Sequence, residues 1–378
     1  MNSAATAAAD SPLAAETEAA GGVFTEVAGR RIPRHFGDEG AEYRATREGA
    51  GIADRADRAQ IRLWGKDPVR MVQGLISNDL AGAPANRAVY AALLTPKGRM
   101  LADLRAFRRE GADGVEVVLD LPVEALAGTV DHLRKYVPPM FARWADATGE
   151  TGLLGVYGPA AAALLGELVG TAVPLLREDE LWEGTVRGLQ VQLLGTREFG
   201  GEPGFDLFAP AALLPTLWAT LLAGAEGARP VGRGALETLR VEAGRPRYGA
   251  DLSEETIPTE AWESTGLMER GVSFSKGCYT GQEVIVRIAH RGHVNRHLRG
   301  LLLGDSPAPV PRTPVHHPDT GKEVGWITSV ATSPRLGRTI ALGYLRRELG
   351  PGDAARVGGA EGDAAVVSEL PFPGTEPG

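Results

Sequence analysis

From about Leu298 onward the sequence carries no helix signal, whereas before that point strand-like and helix-like segments alternate. Leu298–Leu303, Val324–Val330 and Thr339–Leu345 are rich in β-branched and apolar residues. Gly/Pro turns such as Ser306-Pro307-Ala308-Pro309 and Pro334-Arg335-Leu336-Gly337 separate them. Several short strands with no helix among them predict a small β-barrel.

The earlier part reads as α+β. Ile61–Gly65 is strand-like, and Asp67-Pro68 then supplies an N-cap and a first-turn proline for a helix with Val69, Val72, Leu75 and Ile76 on one face. Strand patterns follow at Val89–Leu94, Leu101–Phe107 and Val115–Leu119, and Leu121-Pro122 opens a helix with Val123, Leu126, Val130, Leu133 and Val137 on one stripe. The same order recurs in the middle of the chain. Leu153–Tyr157 and Val186–Leu194 read as strands, and Pro210 opens a helix packed through Leu213, Leu214, Leu217, Trp218 and Leu221. Two related subdomains are expected, although no identity between the halves amounts to a sequence repeat. Residues 1–22 have few aromatic or β-branched residues and contain acids but no Lys or Arg, which predicts a disordered arm rather than a signal or transit peptide. The expected division is an arm at 1–22, an α+β region at 23–290, a barrel at 291–368 and a loose tail at 369–378.

Composition narrows the function classes. With 43% hydrophobic and 23% charged residues, the 378-residue chain has the make-up of a globular protein of two or three domains. No stretch approaches the roughly 18 uninterrupted apolar residues of a membrane span. A net charge of −8, from 40 Lys+Arg against 48 Asp+Glu, argues against constitutive duplex binding. The single cysteine, Cys278, rules out an intramolecular disulfide and any metal site built from several thiolates of one chain. A cytoplasmic setting is therefore expected.

The most informative segment is Phe274-Ser275-Lys276-Gly277-Cys278-Tyr279-Thr280-Gly281-Gln282-Glu283, followed by Val284-Ile285-Val286-Arg287. Two glycines four apart bracket the only thiol, a tyrosine and a threonine, and the apolar run after them reads as a strand. Glycine allows the close backbone approach that a tight, ligand-facing turn needs. A thiol between Lys276 and Arg287 would gain thiolate character. Taken alone, such a cysteine is more often a small buried hydrophobe.

Lys276-Gly277-Cys278-Tyr279-Thr280-Gly281-Gln282-Glu283 resembles the signature octapeptide of the YgfZ family, folate-binding proteins linked to iron–sulfur cluster assembly and repair and to tRNA modification. The wider chain is similar to the superfamily that also holds the glycine-cleavage T-protein, a tetrahydrofolate-using aminomethyltransferase. That likeness rests on Leu239-Arg240-Val241-Glu242-Ala243-Gly244 with Tyr248-Gly249-Ala250-Asp251, on Glu202-Pro203-Gly204-Phe205-Asp206, and on Lys322-Glu323-Val324-Gly325-Trp326-Ile327-Thr328-Ser329. The resemblance implies two interleaved α+β subdomains and a C-terminal barrel around a folate-sized cleft. It also implies tetrahydrofolate as cofactor, Cys278 and Lys276 as central functional residues, and Glu242, Asp103, Arg99 and Arg287 as cofactor-binding residues.

A carboxylate suits a pterin, whose ring N–H and exocyclic amino group can both donate to it, provided the carboxylate is rigid and partly buried. An exposed helix carboxylate is the plain alternative for Glu242. The T-protein carries two adjacent aspartates after a glycine-rich turn, and the matching stretch is Lys97-Gly98-Arg99-Met100-Leu101-Ala102-Asp103-Leu104, with only the second acid present. Alanine can take no part in a proton transfer, so Ala102 counts against aminomethyl transfer. His290, His293 and His297 stand among Arg287, Arg291, Arg296 and Arg299. Gly292 and the strand signals oppose a helical metal site, and no metal is expected. The stripe fits a polyglutamate tail, a phosphate or RNA, and a solvated basic loop is its plain alternative.

Three functions follow. The first is a YgfZ-like protein supporting iron–sulfur cluster assembly or repair, with client enzymes or assembly factors as partners and a link to tRNA modification. The second is a folate-dependent aminomethyltransferase. The third is a non-catalytic RNA- or protein-binding scaffold using the arginine stripe.

Overall fold

The computed structural model describes residues 11–111, 114–199, 201, 203–224, 227–304 and 307–374. Two mixed layers and a barrel form the molecule. A five-stranded antiparallel sheet runs in the order Val89–Leu94, Met100–Gly111, Gly114–Pro122, Arg58–Trp64, Arg143–Asp146. A six-stranded sheet runs Leu181–Val186, Leu189–Thr196, Gly204–Pro210, Thr151–Tyr157, Ala50–Asp54, Ala228–Pro230, with the last pair parallel. The chain leaves Ala50–Asp54 in one sheet and enters Arg58–Trp64 in the other within a few residues, so the two subdomains interleave. The fold is α+β with a C-terminal barrel.

The barrel closes through Arg296–Leu303, Arg338–Arg346, Glu323–Ser333, Pro314–His316, Ala354–Val357 and Asp363–Ser368. Leu301, Val315, Ile327, Ala341 and Leu345 fill it. Its outer face is not all solvated: Leu298, Ile340, Leu342 and Tyr344 join the core of the five-stranded sheet, which docks the barrel on that subdomain.

The helices follow the expected local physics. Asp67 caps Pro68–Gln73 by accepting from the Arg70 amide. Val123, Leu126, Val130, Leu133 and Val137, the predicted stripe, are all buried, as are Leu214, Leu217, Trp218 and Leu221 in the helix Leu214–Gly224. Among the described residues no helix is long and apolar enough to cross a membrane.

Three local expectations differ from the structure. Residues 11–22, read as part of an arm, include the helix Ala14–Ala19, and Leu13 beside it is fully buried against the six-stranded sheet's core; residues 1–10 lie outside the described residues. Val284-Ile285-Val286, read as a strand, lies in the helix Gln282–Arg291. There Gly281, at φ +83°, turns the chain into the helix, Ile285 is fully buried and Arg287 and His290 face outward. Tertiary burial of one face outweighs the β propensity of the branched run. Of the tail, residues 369–374 are described, and Phe372 is fully buried, meeting the space left open by Gly300.

Candidate functional site

Isolated charges occupy the middle of several buried strands. In Met100–Gly111, Ala102, Leu104 and Ala106 point into the apolar core while Asp103 and Arg105 point to the other face, also buried. This is the two-residue alternation of a strand, and it sends the charged side chains into the space between the two sheets. Asp120 and Asp206, each flanked by apolar residues in its strand, meet Arg105 there.

The result is a dense polar interior. Asp206 accepts from Tyr157 Oη at 2.6 Å, from Arg105 Nη1 at 2.5 Å and from Arg55 Nη1 at 3.4 Å. Asp120 accepts from Arg58 Nε at 2.8 Å, Arg105 Nε at 2.7 Å and Gln60 Nε2 at 3.1 Å. Burial alone would raise the Asp120 pKa, but Arg105 and Arg58 outweigh it and hold the carboxyl below its ordinary range. Asp103 is different. Tyr90 Oη donates to its Oδ2 at 3.0 Å, while Oδ1 is buried with no hydrogen-bond partner among the described residues. Burial raises its pKa, opposed by Arg58 and by the Tyr90 hydrogen bond. Asp54 is pushed up to about 6, chiefly by burial. A small cleft lined by Phe199, Leu236 and Asp54 meets an open groove of about 620 Å³ at Arg233, Glu237 and Arg247.

Of the residues given a site role from the sequence, only Asp103 faces this interior among the described residues. Glu242 ends the helix Arg233–Glu242 and is fully buried, but the protein's own groups take its carboxylate. Tyr43 Oη donates to both oxygens at 3.1 and 2.9 Å, Arg47 Nη2 to Oε2 at 2.5 Å and Ser333 Oγ to Oε1 at 2.5 Å. It therefore ties two helices to the barrel, and a pterin would have to displace those donors.

The octapeptide makes a clasp. Lys276 is buried, and its Nζ donates to the carbonyls of Gln73, Ile76 and Asn78 at 2.6, 2.7 and 2.9 Å. Its pKa is lowered to about 8 by burial, with Asp79 pulling the other way. Gly277 and Cys278 are exposed. Tyr279 is buried with its ring 5.0 Å from Lys276 Nζ, and the Thr280 amide donates to Gly74 O at 3.1 Å. A Cβ on Gly281 would come within 2.6 Å of Thr95 O, so this glycine permits close approach to the turn before Arg99. Gln282 and Glu283 open the following helix. Among the described residues no direct hydrogen bond joins the octapeptide to Asp103.

The arginines are dispersed. Arg99 donates to Glu255 O. Arg296 pairs with Glu260 at 2.9 Å and stacks on Trp326 and Tyr344. Burial lowers the Arg299 pKa, and Arg287 is exposed on its helix. The side chain of Arg291, and Glu202, lie outside the described residues. His290 is on the helix Gln282–Arg291, His293 follows it and His297 is in a barrel strand.

Sequence reasoning missed Tyr90, Arg58, Arg105 and Asp120, and it named Asp206 only as part of the Glu202–Asp206 segment, without a role. The available signal was a single charge inside an apolar strand, as in Leu119-Asp120-Leu121 and Phe205-Asp206-Leu207. Such a residue must be paired or face a cavity, because an unpaired buried charge is too costly.

Residues 13–265 match the family described as the GCVT N-terminal domain, and residues 296–372 match the glycine cleavage T-protein C-terminal barrel domain. An aminomethyltransferase of Moorella thermoacetica is 32% identical over 340 residues, covering 88% of each chain. One of Saccharopolyspora erythraea is 33% identical over 369 residues, covering 96% of each. The crystal structure of glycine cleavage system aminomethyltransferase T from Bartonella henselae superposes with a TM-score of 0.85 at 24% identity, over 97% of this chain and 99% of that one, which establishes the fold. The expectation of a YgfZ-like protein for iron–sulfur cluster assembly or repair is overturned by these relatives, which are named aminomethyltransferase and match this chain over most of their length. The iron–sulfur and tRNA roles fall with it.

Proposed function

Because the chain belongs to the glycine cleavage T-protein family, we propose that it is a tetrahydrofolate-dependent aminomethyltransferase. The observation that carries this reading is Asp103, a buried carboxyl with one oxygen held by Tyr90 and the other without a partner among the described residues. The chemistry of a folate suits such an acceptor, since its amine and pterin N–H groups can donate to a buried oxygen that lacks a partner among the described residues. When bound, tetrahydrofolate supplies the amine nitrogens that take up the one-carbon unit.

The chain's own residues prepare that uptake. Asp103 Oδ1 holds the proton that an attacking amine must shed. Tyr90 Oη fixes the carboxyl by occupying Oδ2, and Arg58 favours its ionised form against the cost of burial. The pairs Arg105–Asp206 and Arg58–Asp120 give the walls fixed dipoles and charges, so little reorganisation is needed when charge develops. The cytoplasm is the expected setting, since one cysteine builds no disulfide framework.

The test is formation of methylenetetrahydrofolate from tetrahydrofolate and an aminomethyl donor. Turnover by the wild type, lost in Asp103→Asn, supports the proposal. No product from the folded wild type removes it.

A further inference from the structure

Asp103 is oriented by Tyr90, and Tyr90 is itself held from outside the polar interior. We propose that Arg270, held by Asp179, is a positioning residue for Asp103 that acts through Tyr90; this rests on the reading of Asp103 as the group that handles the amine proton.

Arg270 comes from the short helix Leu267–Gly271. Its guanidinium grips Asp179 with two hydrogen bonds, Nε to Oδ2 and Nη2 to Oδ1, both 2.7 Å, and its third nitrogen, Nη1, lies 2.9 Å from Glu178 Oε1. Thus fixed, its Cζ lies 4.5 Å from the centroid of the Tyr90 ring. A bidentate pair sets the plane of an arginine as a single contact would not. Trp262 touches the same ring at 5.1 Å between centroids.

The anchor is built with some strain. Asp179 is 4% exposed and has φ +69°, in the left-handed region that a residue with a Cβ seldom adopts. Its amide donates to Gly195 O and its carbonyl accepts from the Ala88 amide, both at 2.9 Å, so the surrounding sheets impose that conformation. The strained residue presents its carboxylate to Arg270.

The octapeptide clasp completes the mounting. Asn78 Nδ2 donates to Tyr90 O at 2.9 Å and to Arg270 O at 2.7 Å. Lys276 Nζ holds the Asn78 carbonyl and that of Ile76, and Ser77 Oγ donates to Gly271 O at 2.6 Å. One loop, gripped by Lys276, therefore sets the spacing between the arginine and the tyrosine. The sharpest motif of the sequence reaches the polar interior indirectly.

The chemistry runs in one direction. A guanidinium over a ring is attracted to its negative face and draws electron density toward itself, making the phenol a better donor. Tyr90 then holds Oδ2 of ionised Asp103 more firmly and leaves Oδ1 as the oxygen with no partner among the described residues. The other titratable or charged groups that act on Asp103 are Arg58, Glu198 and Tyr248, and Arg245 acts on Tyr90 alongside Arg270. None of these touches Arg270 among the described residues.

The experiment follows the Asp103 carboxyl by carbon-13 NMR in protein labelled at aspartate, with its resonance assigned by its loss in Asp103→Asn. The Asp103 titration midpoint is expected to rise in Tyr90→Phe, which removes the hydrogen bond to the charged form, and to rise in Arg270→Gln. The kcat for aminomethyl transfer falls about tenfold with KM little changed, the signature of a misplaced group rather than lost binding. Asp179→Asn keeps the shape of the anchor and stands in for Arg270→Gln if that chain does not fold. An Asp103 titration unmoved in folded Arg270→Gln or Asp179→Asn overturns the inference. A shifted titration in a protein whose wild type transfers nothing upholds the linkage and removes the proposed function instead.

Discussion

Ala102 and Asp103 are adjacent in one strand, yet Ala102 is fully buried in the apolar core while Asp103 faces the polar space between the sheets. An acid at position 102 would point away from that space, into Leu and Val side chains. The missing first aspartate, which in the sequence counted against aminomethyl transfer, is thus absent from a position that the strand turns away from the site. The acid that remains is the one the strand aims inward.

Asp103→Asn is expected to lower transfer at least about 100-fold, the usual contribution of a positioned proton acceptor. The fold should survive, because Asn can still accept from Tyr90. The stability change has a definite sign. A carboxyl whose folded pKa is raised weakens the native state once pH exceeds the unfolded value, about 3.9. The Asn variant should therefore be at least as stable as wild type at neutral pH, and the difference should close as pH falls below that range. Denaturant melts at several pH values measure it.

Glu242→Gln should act on stability first. It leaves the Arg47 guanidinium buried opposite a neutral amide and weakens the contacts with Tyr43 and Ser333. Breaking a buried pair by removing one charge costs about 3 kcal/mol. A lower melting temperature is expected without folate present. Loss of folate binding in a variant that melts like wild type would instead make Glu242 a direct ligand.

Cys278→Ala should change little. The thiol is exposed, and surface substitutions usually fall within about 0.5 kcal/mol. Native protein should react with a thiol reagent without unfolding, and the alanine variant should transfer at the wild-type rate. A large loss of turnover would restore a chemical role for this residue.

Lys276 gives a pH signature at the alkaline end. Its folded pKa is lowered to about 8, while the unfolded side chain titrates near 10.4. Between those values the unfolded chain binds more protons, so this residue makes stability rise with pH. The stability of wild type minus that of Lys276→Met should climb from about pH 8 to about pH 10. A flat difference would mean that the ammonium loses no more hydration than its three carbonyl acceptors replace.

Much of the architecture was legible because it depends on local patterns. The loss of helix signals after Leu298 marks the barrel, and Asp67-Pro68 marks a helix start whose cap forms as expected. The helix Gln282–Arg291 was not legible, because Val-Ile-Val favours a strand until tertiary burial of Ile285 decides otherwise. The site was harder still. Glu242 is a buried carboxylate, as a pterin ligand would need to be, but its donors come from Tyr43, Arg47 and Ser333, which no window around residue 242 contains. Arg58, Asp120 and Asp206 become a cluster only when two sheets meet. Their one local mark is a charge where an apolar residue would normally stand.

The contacts around Glu242 also bear on how the protein can be made. Its carboxylate joins Tyr43 to Ser333, and its backbone carbonyl accepts from the amide of Phe372 at 3.3 Å. A nascent chain therefore holds Tyr43 and Arg47 outside the ribosome while the residues up to Ser333 and Phe372 are still being added. Until Ser333 and Phe372 emerge, the helix Arg233–Glu242 ends in a carboxylate and a carbonyl that lack their barrel and tail partners. Completion of this junction thus waits for Ser333 and Phe372, and a chain stopped short of the barrel should be held open for chaperones and proteases at this helix end.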